Sequence, residues 1–189
     1  MDEYQGVARH TWRRTAVIVA VGLIVGGTIG WLVSHGESAV ATVLATTGIA
    51  FSLGGLAGSV SVMATSFRIA MKTQAPMQGL PRPERQMIGR AIKTGVPIEP
   101  AGSELGWRAF DQARFMAVYQ PLALGQFLLL YLGIIGPQLP LLIRDDGLSV
   151  WIGRVLCSLL VVTAVVVTPM LLRSSRRARR YVEVASASG

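Results

Sequence analysis

The chain has 189 residues, the length of one ordinary domain, but its composition is not that of a soluble one. Hydrophobic residues make up 51%, charged residues only 15%, and the mean hydropathy is +0.50. Charges fall in blocks with long neutral runs between them, which argues against a soluble domain and predicts a membrane protein. The net charge of +8 fits a bilayer better than nucleic acid, for which no motif is present.

Four runs along the chain are long and apolar enough to cross a bilayer. They cover residues 15–34, 38–67, 115–143 and 148–172. A helix needs about 20 apolar residues to cross a hydrocarbon core of roughly 30 Å. Only the last run contains a charge, Arg154, which lies near one end where it can reach the headgroups. The sequence therefore predicts an all-α membrane protein with four transmembrane helices.

The basic residues predict how these spans are oriented. Sixteen of the eighteen Lys and Arg residues lie in the segments 1–14, 68–114 and 173–189. The two short turns on the other side carry the acids Glu37, Asp145 and Asp146. Because basic segments stay inside, we expect cytoplasmic termini and a multi-pass protein of the cell inner (plasma) membrane. The spans then form two antiparallel hairpins, residues 15–67 and 115–172, joined by a cytoplasmic helical segment over 68–114.

The N-terminus has an alternative interpretation as a signal peptide. Arg13 and Arg14 precede an apolar stretch, and Ala39-Val40-Ala41 loosely imitates a cleavage site. The stretch is too long for a typical signal sequence, and the imitated site falls where the second span begins. An uncleaved first span is therefore favoured.

Glycines repeat at a spacing of four residues in the first two spans. They are Gly22, Gly26 and Gly30 in the first span and Gly54 and Gly58 in the second. Glycines four apart share one helix face and allow a neighbouring backbone to approach closely. We expect this face to pack within the first hairpin, and the alternative is a homo-oligomer formed through the same face.

The third span is the least regular and suggests an intramembrane polar site. The candidate residues are Tyr119, Gln120, Pro121 and Gln126, with Arg154 from the fourth span. A proline removes one helical hydrogen bond and commonly kinks the helix, and nearby polar side chains can occupy the freed groups. A structural kink is favoured over a ligand site. For Arg154, contact with the outer headgroups is favoured over pairing with an acid or binding an anionic ligand.

The segment 68–114 is predicted to contain structure of its own. Glu84–Thr94 reads as a short amphipathic helix that Gly95 ends, and Ser103 reads as the cap of a second helix leading into the third span. Trp107 is expected at the membrane interface. Basic residues here and in the tail are predicted to contact anionic headgroups of the inner leaflet, and the alternative is a protein partner. They are Arg85, Arg90, Lys93, Arg176, Arg177, Arg179 and Arg180.

The sequence carries no recognisable catalytic or metal motif. HExxH, P-loop and GxSxG patterns are missing, and the lone Cys157 has no metal-ligand spacing around it, so no cofactor or metal is expected. No acid lies within a span, which disfavours a proton-coupled exporter that depends on one. We expect a non-enzymatic structural or regulatory subunit acting through lipid or protein partners. The alternative is a small oligomeric transporter or channel component.

Residues 83–97 read PERQMIGRAIKTGVP. This stretch resembles an "ERR-x-x-x-x-Ala-x-x-x-Gly-x-Pro" cytoplasmic segment of uncharacterised small multi-pass membrane proteins of actinobacteria. Gln86 stands where the second arginine of that pattern would be, and its later acid–proline element appears only as Glu99-Pro100. The resemblance covers about fifteen residues. It implies a four-helix membrane protein with an internal helical segment and no particular activity.

Overall fold

The computed structural model of the chain describes residues 2–74, 77–100, 102–143 and 147–187. Within these residues the main elements are all helical. The α-helices are α1 (Asp2–Val33), α2 (Ala39–Gln74), α3 (Arg82–Thr94), α4 (Glu104–Ile135) and α5 (Leu148–Ala187). A 3₁₀ helix, Gly136–Ile143, follows α4. The predicted all-α class is confirmed for the described part of the chain.

Four of these helical stretches are long and apolar enough to cross a membrane. They are His10–Val33, Ala39–Phe67, Glu104–Leu141 and Val150–Ala187. Each overlaps one of the four predicted spans, so the prediction of four candidate spans is confirmed by length and composition. The last two stretches have 38 residues each, well beyond the roughly 20 that a crossing needs. Helix therefore continues past the predicted ends of both spans.

The chain divides into two compact units. The first, here called the apolar unit, comprises Gly6–Ala64 and Gly125–Val167. The second, here called the basic unit, comprises Met1–Gln5, Thr65–Leu124 and Thr168–Gly189. Within 65–124 and 168–189 the sequence has thirteen Lys or Arg residues against five Asp or Glu.

A tight turn separates α1 from α2 in the apolar unit. The Ser34 hydroxyl donates a hydrogen bond to the Gly30 carbonyl at 2.6 Å, and the Glu37 amide donates to the Ser34 carbonyl at 3.1 Å. Gly36 has a φ of 99°, a left-handed conformation that glycine adopts without a Cβ clash. The Thr42 hydroxyl then donates to the Ser34 carbonyl at 3.1 Å. These bonds satisfy carbonyls that the end of α1 would otherwise leave unpaired.

In the basic unit the predicted end of α3 at Gly95 and the predicted cap of α4 at Ser103 are confirmed, but α3 begins at Arg82, two residues before the predicted start at Glu84. Pro83 lies in the first turn of α3, where its missing N–H breaks no helical hydrogen bond. Gly95 ends α3 with a φ of 73°, and its amide donates to the Ala91 carbonyl at 2.9 Å. The Ser103 hydroxyl accepts a hydrogen bond from the Gly106 amide at 3.1 Å, as an N-cap residue does.

The irregularity predicted for the third span lies mainly at its end. α4 remains an α-helix through Pro121 and ends at Ile135. The 3₁₀ helix that follows contains Pro140. Residues 144–146, which include the predicted turn acids Asp145 and Asp146, lie outside the described residues.

Candidate functional site

Three glycines of α1 lie directly against the backbone of α2. The pairs are Gly22 with Gly54, Gly26 with Ala50 and Gly30 with Thr46, and a Cβ added at each glycine of α1 would lie 2.8, 2.7 and 2.6 Å from the partner's Cα. Real Cβ atoms essentially never come closer than 3.0 Å to such atoms, so no larger residue fits without moving the helices. The partner numbers fall as those of α1 rise, so the two helices are antiparallel. The glycine face of α1 is covered within the chain.

The two predicted glycines of α2 receive side chains from neighbouring helices. A Cβ at Gly54 would lie 2.9 Å from Cγ of Leu23, and one at Gly58 would overlap Val19 and lie 3.2 Å from Cδ1 of Leu129. Near the same end of the contact, the hydroxyls of Thr15 and Ser61 are 3.4 Å apart. The structure thus places all five predicted packing glycines at helix contacts inside the apolar unit.

A second set of glycines, which the sequence analysis did not single out, joins α2 to α4. A Cβ at Gly55 would lie 2.5 Å from the Gly133 amide nitrogen and from the Leu129 carbonyl oxygen. A Cβ at Gly48 would overlap the carbonyl of Gly136. Gly48 and Gly55 are seven residues apart on α2, and Gly133 of α4 is three residues from Gly136 at the start of the 3₁₀ helix, so neither pair has the spacing of four. α2 therefore packs between α1 and α4.

Trp12 adds a contact between α1 and α4. Its indole ring occupies the space that a Cβ on Gly125 would need, so a larger residue there would displace the ring. Trp12 nevertheless remains 39% exposed. Without a side chain at Gly125 the ring can lie close to the α4 backbone.

The five residues of the predicted intramembrane polar site are divided between the two units. Tyr119, Gln120 and Pro121 belong to the basic unit, and Gln126 and Arg154 to the apolar unit. In the basic unit the Gln120 side-chain amide donates a hydrogen bond to the Ser174 hydroxyl at 2.8 Å. The Gln120 carbonyl oxygen is buried and has no partner among the described residues. Gln120 therefore links α4 to α5 through its side-chain amide nitrogen and not through its side-chain oxygen.

Arg154 lies on an exposed face of α5 rather than in a bundle interior. It lines a shallow groove with Trp151, Val155 and Ser158 of the same helix. The Ser158 hydroxyl donates to the Arg154 backbone carbonyl at 2.8 Å. Trp151 is 68% exposed, and an aromatic ring beside an arginine near a span's end is typical of a membrane–water interface.

The basic unit has an apolar core of its own, built from three helices and the segment before α3. Its buried members are Leu80, Ile88, Ile92, Ala109, Ala113, Ala117, Ala178, Tyr181 and Val182. Tyr181 is only 1% exposed, and its side chain forms a hydrogen bond with the backbone of Ile98. Full burial of one large apolar side chain contributes about 1.5–3 kcal/mol. The core therefore packs α3 against the first part of α4 and the last part of α5.

This core changes the interpretation of α3 and of the C-terminal segment. Ile88 and Ile92, on the apolar face of the predicted amphipathic helix, are buried in a core shared with α4 and α5. The residues after Leu172 are not a simple tail, because α5 continues to Ala187 with Ala178 and Tyr181 buried. The alanines and the single tyrosine in this stretch give only a weak apolar pattern, because five arginines lie among them.

The seven predicted headgroup residues all lie on the surface of the basic unit. They are Arg85, Arg90, Lys93, Arg176, Arg177, Arg179 and Arg180. Arg85 is partly fixed, because its Nε donates to the Leu80 carbonyl at 2.7 Å. The aliphatic stem of Arg180 lies beside Gly95, with Cδ 3.9 Å from the position of an added Cβ. The basic surface therefore surrounds an ordered core.

Trp107 and its neighbours form a different part of the surface. Trp107 is 62% exposed, and Val96 is 63% exposed. Arg108, the residue after Trp107, pairs with Glu104 at 2.7 Å and donates to the Gln78 carbonyl at 3.2 Å. These bonds hold the start of α4, while the two apolar side chains remain uncovered.

No family model, curated protein or solved structure matches this chain significantly. The similarity of residues 83–97 to actinobacterial membrane proteins stays an expectation from the sequence.

Proposed function

We propose that the chain is a non-enzymatic structural or regulatory subunit of the inner (plasma) membrane that acts through its basic unit. In this proposal the apolar unit holds most of the two transmembrane hairpins, and the part of the basic unit outside the predicted spans is a folded cytoplasmic module that contacts partners. The observation that carries the proposal is the core around Ile88 and Tyr181. A membrane anchor alone needs no folded module outside the bilayer, whereas a docking surface does.

The charge distribution supports the proposed orientation. The three segments that hold sixteen of the eighteen basic residues would all be cytoplasmic. Thirteen of the sixteen belong to the basic unit, with only five acids beside them in 65–124 and 168–189. The turn after α1 carries Glu37 and no Lys or Arg, as expected for the opposite side.

The glycine contacts argue against the transporter or channel alternative. A transport path needs a polar space between helices, but at Gly26 and Gly55 the neighbouring backbones leave no room for even a methyl group. Several hydroxyl groups of α2 are used for packing, as between Ser61 and Thr15. An oligomer with a path between subunits is the form in which the alternative would survive.

Cysteine labelling in intact cells tests the topology. In a Cys157→Ser background, a membrane-impermeant maleimide should label Glu37→Cys without permeabilisation. Ser186→Cys should be labelled only after permeabilisation, because the end of α5 is expected in the cytoplasm. The reverse labelling pattern would contradict the proposed orientation.

Site-specific photo-crosslinking tests the docking role. A photoreactive amino acid replaces Trp107 or Val96, which are exposed in the basic unit. In a control, the photoreactive amino acid replaces Val17, which is 63% exposed on α1 within the first predicted span and should contact lipid. We expect discrete protein adducts from positions 107 and 96 only. If both positions give no protein adduct while the Val17 control behaves as expected, the docking role is wrong.

A further inference from the structure

We propose that one face of α5 in the basic unit binds the phosphate headgroups of anionic lipids in the bilayer that the chain spans. The face consists of Arg173, Arg176, Arg177 and Arg180 and is called the arginine face below. The inference rests on the proposed topology, in which the fourth span ends near Leu172. It names a lipid partner for one surface of the basic unit, separate from the surface around Trp107.

The arginine face is defined by the periodicity of the helix. Its members stand at positions i, i+3, i+4 and i+7, which share one side of an α-helix. The opposite side is buried, with Ser175 at 6%, Ala178 at 0% and Tyr181 at 1% exposure. All four arginines are exposed. The core therefore fixes the rotation of α5 and with it the direction in which these arginines point.

The arginines also lie at the height where headgroups are found. A helix rises 1.5 Å per residue, so a helix that leaves the bilayer near its normal places Arg173 to Arg177 within about 8 Å of Leu172. The polar layer of one leaflet is about 5–8 Å thick. Arg180 lies about 12 Å from Leu172, beyond that layer but close to it. Lipid phosphates are thus the nearest anions to the first three members.

The chemistry of the face suits phosphate. All four members are arginines, whose planar guanidinium donates two parallel hydrogen bonds to a phosphate. Among the described residues, none of the four makes an ion pair with an acid of this chain. Glu183 follows Arg179 and Arg180 at helical spacing and lowers the positive charge at that end. The strongest anion attraction is therefore expected between Arg173 and Arg177.

The sequence alone predicts headgroup contact for Arg85, Arg90 and Lys93 of α3 as well, whereas the inference assigns the lipid preference to α5 and not to α3. α3 therefore provides a matched control for charge alone. It carries four exposed basic residues, Arg82, Arg85, Arg90 and Lys93. Replacing these four by Gln removes as much charge from the basic unit as replacing the arginine face. If the lipid preference depends on the arginine face, it will be lost in the variant of that face and kept in the variant of α3.

The test uses the full chain in nanodiscs of equal phosphatidylcholine and phosphatidylglycerol. Lipids retained by the protein after transfer to detergent are counted by native mass spectrometry. We expect the wild-type protein to retain more phosphatidylglycerol than phosphatidylcholine. Each basic residue near a membrane surface contributes about fivefold to anionic binding. The variant R173Q/R176Q/R177Q/R180Q should therefore lose at least about tenfold of the preference. The variant R82Q/R85Q/R90Q/K93Q should stay within about twofold of wild type.

Several outcomes would overturn the inference. They are a wild type without lipid preference, equal losses in the two variants, and displacement of the lipid by millimolar inorganic phosphate, which would indicate a site for free anions. If the fourfold variant does not fold, the single changes Arg176→Gln and Arg177→Gln at exposed positions serve instead, and each should lose about fivefold. Labelling of Glu37→Cys in every variant separates these outcomes from a failure of the topology.

Discussion

The apolar unit and the basic unit are held together by different kinds of residue. In the apolar unit the helix backbones approach closely at glycines such as Gly22, Gly26 and Gly55, and many of the large apolar side chains point outward. In the basic unit the interior contains Ile88 and Tyr181. In lipid there is no hydrophobic driving force for helices to associate, so they associate through close packing of their backbones. In water the hydrophobic effect drives large apolar side chains into the interior. The two patterns match the two solvents proposed for the two units.

The largest effect is expected from truncating the basic unit's core. Tyr181→Ala removes a fully buried aromatic ring, and such truncations cost about 3–5 kcal/mol. Hydrogen exchange should become much faster along α3, because its apolar face would lose a principal contact. Val184→Ala, on the same helix but 41% exposed, should change stability by less than about 0.5 kcal/mol. Unchanged exchange in α3 of the Tyr181 variant would show that the core does not hold α3.

The next effect comes from adding a methyl group to the apolar unit. A Cβ at Gly26 would lie 2.7 Å from Cα of Ala50, so Gly26→Ala should cost about 1–3 kcal/mol. The matched control is Gly27→Ala, whose Cβ would meet only Cβ of Ala50 at 4.0 Å. The thermal unfolding midpoint in detergent should fall for the first variant and stay near wild type for the second. Equal midpoints would break the contrast between the two units.

A smaller effect is expected at the start of α4. Ser103→Ala removes the hydroxyl that accepts the Gly106 amide, and loss of an N-cap costs about 1 kcal/mol. The first amides of α4 should exchange faster, while those of α1 and α2 should not change. Ser186→Ala, near the end of α5, is the control without an N-cap role. Protection of α4 that survives Ser103→Ala would mean that tertiary contacts alone hold its first turn.

A final comparison, with an expected effect no larger than the last, concerns the side-chain amide of Gln120 in α4. Ser174→Ala leaves the Gln120 nitrogen without its partner and should cost about 1 kcal/mol. Gln120→Met removes the whole amide, including the carbonyl oxygen that has no partner among the described residues, so it should be close to neutral. Both values come from thermal unfolding in detergent. A clearly larger loss for Gln120→Met would point to a role for this residue beyond the bond to Ser174.

Much of the fold can be predicted from local sequence signals. Apolar run length gives the four candidate spans, and Gly95 and Ser103 mark the boundaries of α3 and α4 because their caps depend on a few neighbouring residues. The spacing of Gly22, Gly26 and Gly30 indicates a packing face, since four residues are nearly one turn. These features need no knowledge of distant parts of the chain.

The missed features depend on distant partners. Whether Ile88 meets lipid or protein is decided by Ala178 and Tyr181, which the sequence places far away and surrounds with arginines. The role of Gly55 depends on Gly133 of another helix. The polar site grouped Gln120 with Arg154 because both are unusual in apolar runs, but rarity in a sequence does not bring side chains together. Their positions are set by packing that the local pattern does not encode.

The order of synthesis gives the basic unit a further property. α3 leaves the ribosome long before the end of α5, so Ile88 and Ile92 must wait for Ala178 and Tyr181 to be made. During that time the apolar face of α3 can pack only against α4 and is partly uncovered, and such faces are open to aggregation and to chaperones. A chain that stops early would keep this face exposed permanently. Burial of the apolar face of α3 thus depends on the completion of α5. A protease that recognises exposed apolar segments would therefore degrade chains that lack α5 and spare chains that have it.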